Sequence, residues 1–320
     1  MILVHVDQVK SIKIAAEKHK QQNMKKIAII VCNFASITEE VKNTYGIIAI
    51  DSYLHWPEEG NLIGENIFEK MRDALKKGIK SIPKTSQPSM GTFKKYFDSA
   101  FQNNDELICI TISSKISGTY NSALQTKKLF DSEKQKKIHI IDSNNIDAAE
   151  TLLAIKAAEI AKQEDSIETI INKINTFVSK TYFYGMTENP DQMEVGGRIN
   201  HVLAKILSQM QKLGMRPILH MEDGVVKPAN LKMNANNTAE ALLKQFESLN
   251  KKALSKGVNY RIAISHADNL AEAQKLKFLF ESKYPKQTKI DLITMTGAFI
   301  GSHVGPGTLM CGTLKESCGN

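Results

Sequence analysis

Several side chains in this sequence come in arrangements that could do chemistry. Ser81-Ile82-Pro83-Lys84 has the SxxK spacing in which a lysine activates a serine for acyl transfer. Neither an SDN nor a Lys-Thr-Gly sequence accompanies it, and two fixed positions in four arise easily by chance. His266 and His303 raise a Ser-His-Asp hydrolase, but the GxSxG turn that exposes such a serine is absent. Their spacing does not suggest a metal pair either. Gly305-Pro306-Gly307 lacks the strand–GxGxxG–helix order of a dinucleotide site and reads as a tight turn. No catalytic residue, metal or cofactor is therefore assigned.

Ser117 is more informative. It follows an apolar run over 107–112 and stands where a helix should begin. A serine there can simply cap the exposed backbone N–H groups. The same N–H groups and the helix dipole also favour an anion. Thr85 lies in another loop of the same half. Two hydroxyls and a helix start could together hold a carboxylate, and both readings of Ser117 stay open on spacing alone.

The elements that must position these residues alternate. Ile27-Ala28-Ile29-Ile30-Val31, 47–50, 107–112 and 138–141 are continuous apolar runs, as in strands covered on both faces. Helices are expected over 66–77, with Ile67, Met71, Ala74 and Leu75 on one face, from Ser89 as N-cap, from 119 to about 130, and over 148–162. This alternation argues for parallel βαβ units. From Thr181 a second pattern begins. It has a strand at 182–186, a helix at 201–212 and a hairpin around Glu222-Asp223-Gly224. Helices near 238–254 and 269–284 and strands at 261–265 and 290–295 follow. The boundary between halves should fall between 166 and 181. The expected division is an extension over 1–23, one domain over 24–178 and another over 179–320.

The chain has 320 residues and a formal charge of +8. That charge raises nucleic acid as a partner, but it is nearly all lysine scattered along helical segments. Arginine occurs only at 72, 198, 216 and 261. The lysines read as solvated faces, and nucleic acid is not expected. Four cysteines without a CxxC pair fit a reduced, cytoplasmic protein. No stretch reaches the roughly 20 apolar residues of a membrane span, so any membrane contact is peripheral.

Five segments together resemble one family. They are the run from Pro83 through Thr85 to Ser89, the run from Ile112 through Ser113, Ser114, Ser117 and Gly118 to Ala123, Ile141-Asp142-Ser143, Gly196-Gly197-Arg198-Ile199, and Ile300-Gly301-Ser302-His303-Val304-Gly305-Pro306-Gly307. In this order and at compatible spacing they look like the signature motifs of the DegV family of fatty-acid-binding proteins. The resemblance implies two α/β domains, the first with a parallel sheet and the second with a mixed one. It implies a long-chain fatty acid whose carboxylate is bonded by Thr85 and Ser117, with Ser114, Gly118, Arg198 and His303 in supporting places. It also implies a non-catalytic carrier whose partner is a separate fatty acid kinase that phosphorylates the presented carboxylate. The alternatives are a lipid sensor without a kinase and a serine-dependent acyl or phosphoryl enzyme. The chain departs from the family pattern in three places, one of them Met193-Glu194-Val195, where a lysine is usual before Gly196. Cys32-Asn33-Phe34 stands where Asp-Ser is usual. Asp147, Ala149 and Thr151 stand where a serine and small glycines are usual, which should reshape the acyl tunnel.

Overall fold

A computed structural model describes residues 25–79, 81–188, 193–194, 201–213, 215–233 and 237–318. The expected 1–23 extension and Gly196-Gly197-Arg198 lie outside the described residues. In chain order the first half contains β1 (Ile27–Cys32), α1 (Glu39–Tyr45), β2 (Ile47–Ile50), β3 (Tyr53–His55), α2 (Ile67–Lys76), β4 (Lys84–Ser86), α3 (Met90–Ala100), β5 (Glu106–Thr111), α4 (Thr119–Lys127), α5 (Ser132–Lys136), β6 (Ile138–Asp142), α6 (Asp147–Ala161) and α7 (Ile167–Val178). The second half contains β7 (Thr181–Met186), α8 (His201–Lys212), β8 (Met215–Glu222), β9 (Val225–Met233), α9 (Thr238–Leu254), β10 (Val258–His266), α10 (Leu270–Lys283), β11 (Thr288–Met295), α11 (Ala298–Val304) and β12 (Leu309–Cys318).

The first sheet is parallel, in the order β2-β1-β5-β6. Its central strands are apolar at successive positions because both faces are covered. Ala28, Ile30 and Cys32 face one apolar cluster, while Ile29 and Val31 face another. The second sheet is mixed, in the order β11-β10-β12-β7-β8-β9, with only β10 and β11 parallel. Helix α6 touches strands of both sheets and is buried along nearly its whole length. Its Leu152, Leu153 and Ile155 share a cluster with Ala263, Leu292 and Leu314 of the second sheet. At its far end Glu159 accepts from buried Arg261 at 2.6 Å, and Asp291 accepts from the same guanidinium at 2.5 Å.

Three local readings change. On α2 the buried face is Phe68, Met71 and Ala74, and Leu75 is exposed, because the helical phase places it one position past the core. The helix from 119 does not run to 130: α4 stops at Lys127 and Asp131 caps a separate α5 by accepting from Lys134 N at 2.8 Å. The 166–181 segment, where the junction is expected, holds helix α7 with Ser166 as its N-cap, and β7 of the second sheet begins at its end. Strand β12 was not anticipated at all, yet it lies inside the second sheet between β10 and β7.

Candidate functional site: hydroxyls beside an apolar cavity

Thr85 is the central residue of β4, which pairs with β3 as a small antiparallel ribbon opposite Leu54. His303 lies on α11. The two meet across the molecule, Thr85 Oγ1 standing 2.7 Å from His303 Nε2. Gly301 lets α11 approach α2 this closely, since a Cβ there would lie 2.4 Å from the Phe68 ring. Thr85 is half-buried and His303 is buried.

Ser117 comes from the loop between β5 and α4. It precedes the N-cap position, which Gly118 occupies without a side-chain bond. The Ser117 hydroxyl accepts from Thr119 N at 3.3 Å and pairs with Thr119 Oγ1 at 2.7 Å. Gly118 is a site of close approach, because a Cβ there would overlap the Gln87 side chain. Gln87 in turn donates to Ser122 Oγ at 2.7 Å. The exit of β4 and the start of α4 therefore lie side by side, which brings the Thr85 and Ser117 segments together.

Ser117 and His303 line one small cavity whose remaining wall is apolar, including Ile112, Phe299, Ile300 and Val304. Its volume is about 30 Å³, room for roughly one water molecule. Phe299 is braced from behind by Phe34, ring centroids 4.0 Å apart. The Cys32-Asn33-Phe34 departure therefore supplies an aromatic support to the cavity wall, with Cys32 buried in the same cluster. A larger cleft nearby, about 800 Å³, is edged by Lys115, Asp142, His220, Glu222 and Asp223. Those charged groups suit water better than an acyl chain. Ser114 belongs to that side: it is exposed and its N–H donates to the Asp142 carboxylate at 3.2–3.3 Å. The Ser114 backbone thus bonds a neighbour other than Thr85 and Ser117.

The other suspected groups have structural partners. Ser81 Oγ accepts from Trp56 Nε1 at 3.1 Å, and Lys84 is exposed on the ribbon. His266 Nδ1 accepts from Asn269 N at 3.1 Å, and burial pushes its pKa down. Among the described residues, no group of three or more His, Cys, Asp or Glu is arranged to hold a metal ion.

Sequence reasoning did not single out the buried polar groups at the start of α6 for what they are. Asp147 is fully buried and accepts from Ser36 Oγ, Ser265 Oγ and Thr296 Oγ1, the last at 2.8 Å. Burial pushes its pKa up, and the three hydroxyls pull the other way. Glu150 is also fully buried, yet neither carboxyl oxygen has a hydrogen-bond partner. Burial drives its pKa well up, and the charges of Asp147 and Asp142 add to that. Acidic residues in a first helical turn ordinarily signal a solvated N-terminus, so no local pattern announces that these two are inside.

Comparison with known proteins places this architecture. A family model described as "Uncharacterised protein, DegV family" matches residues 26–316. A Thermotoga maritima protein named "Fatty acid-binding protein" is 28% identical over 296 residues, covering 89% of this chain and 96% of that one. The crystal structure of DegV from Bacillus subtilis, described as a fatty acid binding protein, superposes with a TM-score of 0.74 at 27% identity, covering 91% of this chain and all of that one (100%). A second Thermotoga maritima structure, described as revealing fatty acid binding function, gives 0.73 at 27% identity over 91% of this chain and 99% of that one.

Proposed function

This chain belongs to the DegV family, and from that premise we propose that it binds a long-chain fatty acid by its carboxylate at Thr85 and Ser117 and presents it to a separate kinase. The observation that carries the reading is that Thr85 bonds His303, and His303 and Ser117 line one apolar cavity. A carboxylate accepts hydrogen bonds only, so both hydroxyls must donate to it. Thr85 can do so if its oxygen accepts from an Nε2–H of His303, which frees its own proton for the ligand. Ser117 can do the same while Thr119 donates to it. Each hydroxyl–carboxylate bond is worth about 1.5–3 kcal/mol.

The acyl chain supplies more. Each buried CH₂ contributes about 0.8 kcal/mol, so a long chain contributes roughly 10 kcal/mol before ordering costs. The cavity is far smaller than such a chain, so entry must displace apolar side chains such as Phe299 and Ile300. Catalysis then belongs to the kinase, and Arg198 acts at the carboxylate end during phosphoryl transfer. The reading places the protein in the cytoplasm, where the buried thiols of Cys32, Cys109 and Cys311 stay reduced. None of the described helices is long and apolar enough to cross a membrane.

Native mass spectrometry of the purified protein tests the binding: a co-purified fatty acid is expected. A protein that is empty and also fails to take up palmitate or oleate overturns it. Incubation with a cognate kinase and ATP should convert bound lipid to acyl phosphate. Arg198→Ala should impair that conversion more than binding, and equal effects on both refute the role given to Arg198.

The 2.7 Å contact of Thr85 with His303 also favours a second reading, a threonine nucleophile with a histidine base. A covalent fluorophosphonate probe separates the two. The carrier reading requires no labelling at Thr85 or Ser117, and labelling that depends on His303 would establish the enzyme.

A further inference from the structure

Glu150 has no role in the site described above and no internal partner for its carboxyl. Its side chain is wholly enclosed, and both oxygens lack hydrogen bonds. The molecule treats its other enclosed carboxyls differently: Asp147 receives three hydroxyls and Asp291 receives Arg261. An enclosed polar group left unpaired is destabilising, so such a group in a native protein calls for an explanation.

Its position supplies one. The electrostatic neighbours of Glu150 include the thiols of Cys32 and Cys109. Both belong to the apolar cluster that contains Ile112, Phe299, Ile300 and Val304, four residues of the cavity wall. Ala149, the preceding residue, packs in that cluster too. Ile146, immediately before α6, lines the cavity itself. Glu150 thus stands one residue from Ala149 and about one helical turn from Ile146, both packed with the apolar cluster that walls the Ser117–His303 cavity. A plain hydrocarbon chain gives a carboxyl group there nothing to bond. Burial favours the protonated carboxyl, which offers one O–H donor and an acceptor oxygen.

We propose that Glu150 recognises a polar substituent within the acyl chain, and that the ligand class of this protein is fatty acids bearing a mid-chain hydroxyl or keto group. This rests on the fatty-acid reading above and narrows it. The substituent would satisfy the Glu150 carboxyl as the Thr85–Ser117 pair satisfies the head group. Two polar anchors joined by a chain of defined length then select the position of the substituent. Preference over an unsubstituted chain follows because only the substituent gives the unpaired Glu150 carboxyl a hydrogen bond.

The test is competitive binding of stearate and a positional panel of monohydroxystearates to the intact protein. One positional isomer should bind at least about tenfold more tightly than stearate, equivalent to about 1.4 kcal/mol. Glu150→Leu should abolish that preference by weakening the hydroxylated acid and strengthening stearate, while Glu150→Gln, which keeps a donor and an acceptor, should retain most of it. Equal binding of stearate and every isomer by the unmodified protein overturns this inference and leaves the fatty-acid reading standing. Survival of the preference in Glu150→Leu overturns it as well. Binding of none of these acids overturns both. The comparison within the unmodified protein decides the matter even if a variant fails to fold.

Discussion

Two polar clusters in this molecule are built from similar parts and do different things. In the first, Ser36, Ser265 and Thr296 converge on the carboxyl group of Asp147. They come from the loop after β1, the end of β10 and the segment after β11, so the cluster joins the first half to the second. In the second, Ser117 and His303 line an apolar cavity, and Thr85 bonds His303. The first cluster shows what it takes to accommodate a buried carboxyl here: several hydroxyl donors drawn from separate elements. The second has the same donor type on separate elements, and its cavity is where a carboxyl from outside could come. One cluster is completed by the chain; in the proposed function a ligand completes the other. Glu150, three residues after Asp147, is the control that nature has left in place: a carboxyl with the same burial and no donors.

The comparison can be broken in order of expected effect. Asp147→Ala strips three hydroxyls of their shared acceptor and should lower unfolding free energy by about 3 kcal/mol in chemical denaturation. A loss under half that would mean the cluster is not an internal model of carboxylate binding. Glu150→Leu should act in the opposite direction, raising the stability of lipid-free protein by about 1–2 kcal/mol, because an unpaired polar group is replaced by an apolar one.

A pH series sharpens the same contrast. The folded-state pKa of Glu150 is raised above its ordinary value of 4.5. The folded protein therefore keeps a proton that the unfolded chain releases, and its contribution to stability is complete below that value and lost as pH rises through the folded-state pKa. Denaturation midpoints should thus fall as pH rises above 4.5, and Glu150→Gln should flatten that fall. Asp147, shifted in the same direction, should leave a residual slope.

At the second cluster the effects should fall on binding. Thr85→Val removes the bond to His303 and should weaken fatty-acid affinity about tenfold, with melting temperature of the lipid-free form little changed. Ser117→Ala should weaken binding by a smaller factor, about three- to tenfold, since Thr119 remains beside it. A large loss of lipid-free melting temperature in Ser117→Ala would instead mark that hydroxyl as a local cap.

Much of this was legible in the residues. Continuous apolar runs announced the parallel strands β1, β2, β5 and β6, because a strand covered on both faces needs apolar side chains at successive positions. The Glu222-Asp223-Gly224 turn announced the β8–β9 hairpin, and the ordered motifs around Thr85, Ser117 and His303 announced the family. The ribbon β3–β4 and strand β12 were not legible. The ribbon strands are only three residues long, too short for alternation to show, and β12 follows a glycine-rich segment that reads as a turn.

By itself, then, the sequence determined the class of the fold and the order of most elements, and its motif order pointed to the family whose pattern implies Thr85 and Ser117 as head-group hydroxyls. The tertiary structure alone decided that Thr85 touches His303, 218 positions away in sequence, that Asp147 is caged, and that Glu150 lies unpaired beside the apolar cluster. The reason is physical. The state of a polar side chain is set by what encloses it, and burial between two packed sheets is a property of the assembled chain that no local spacing records.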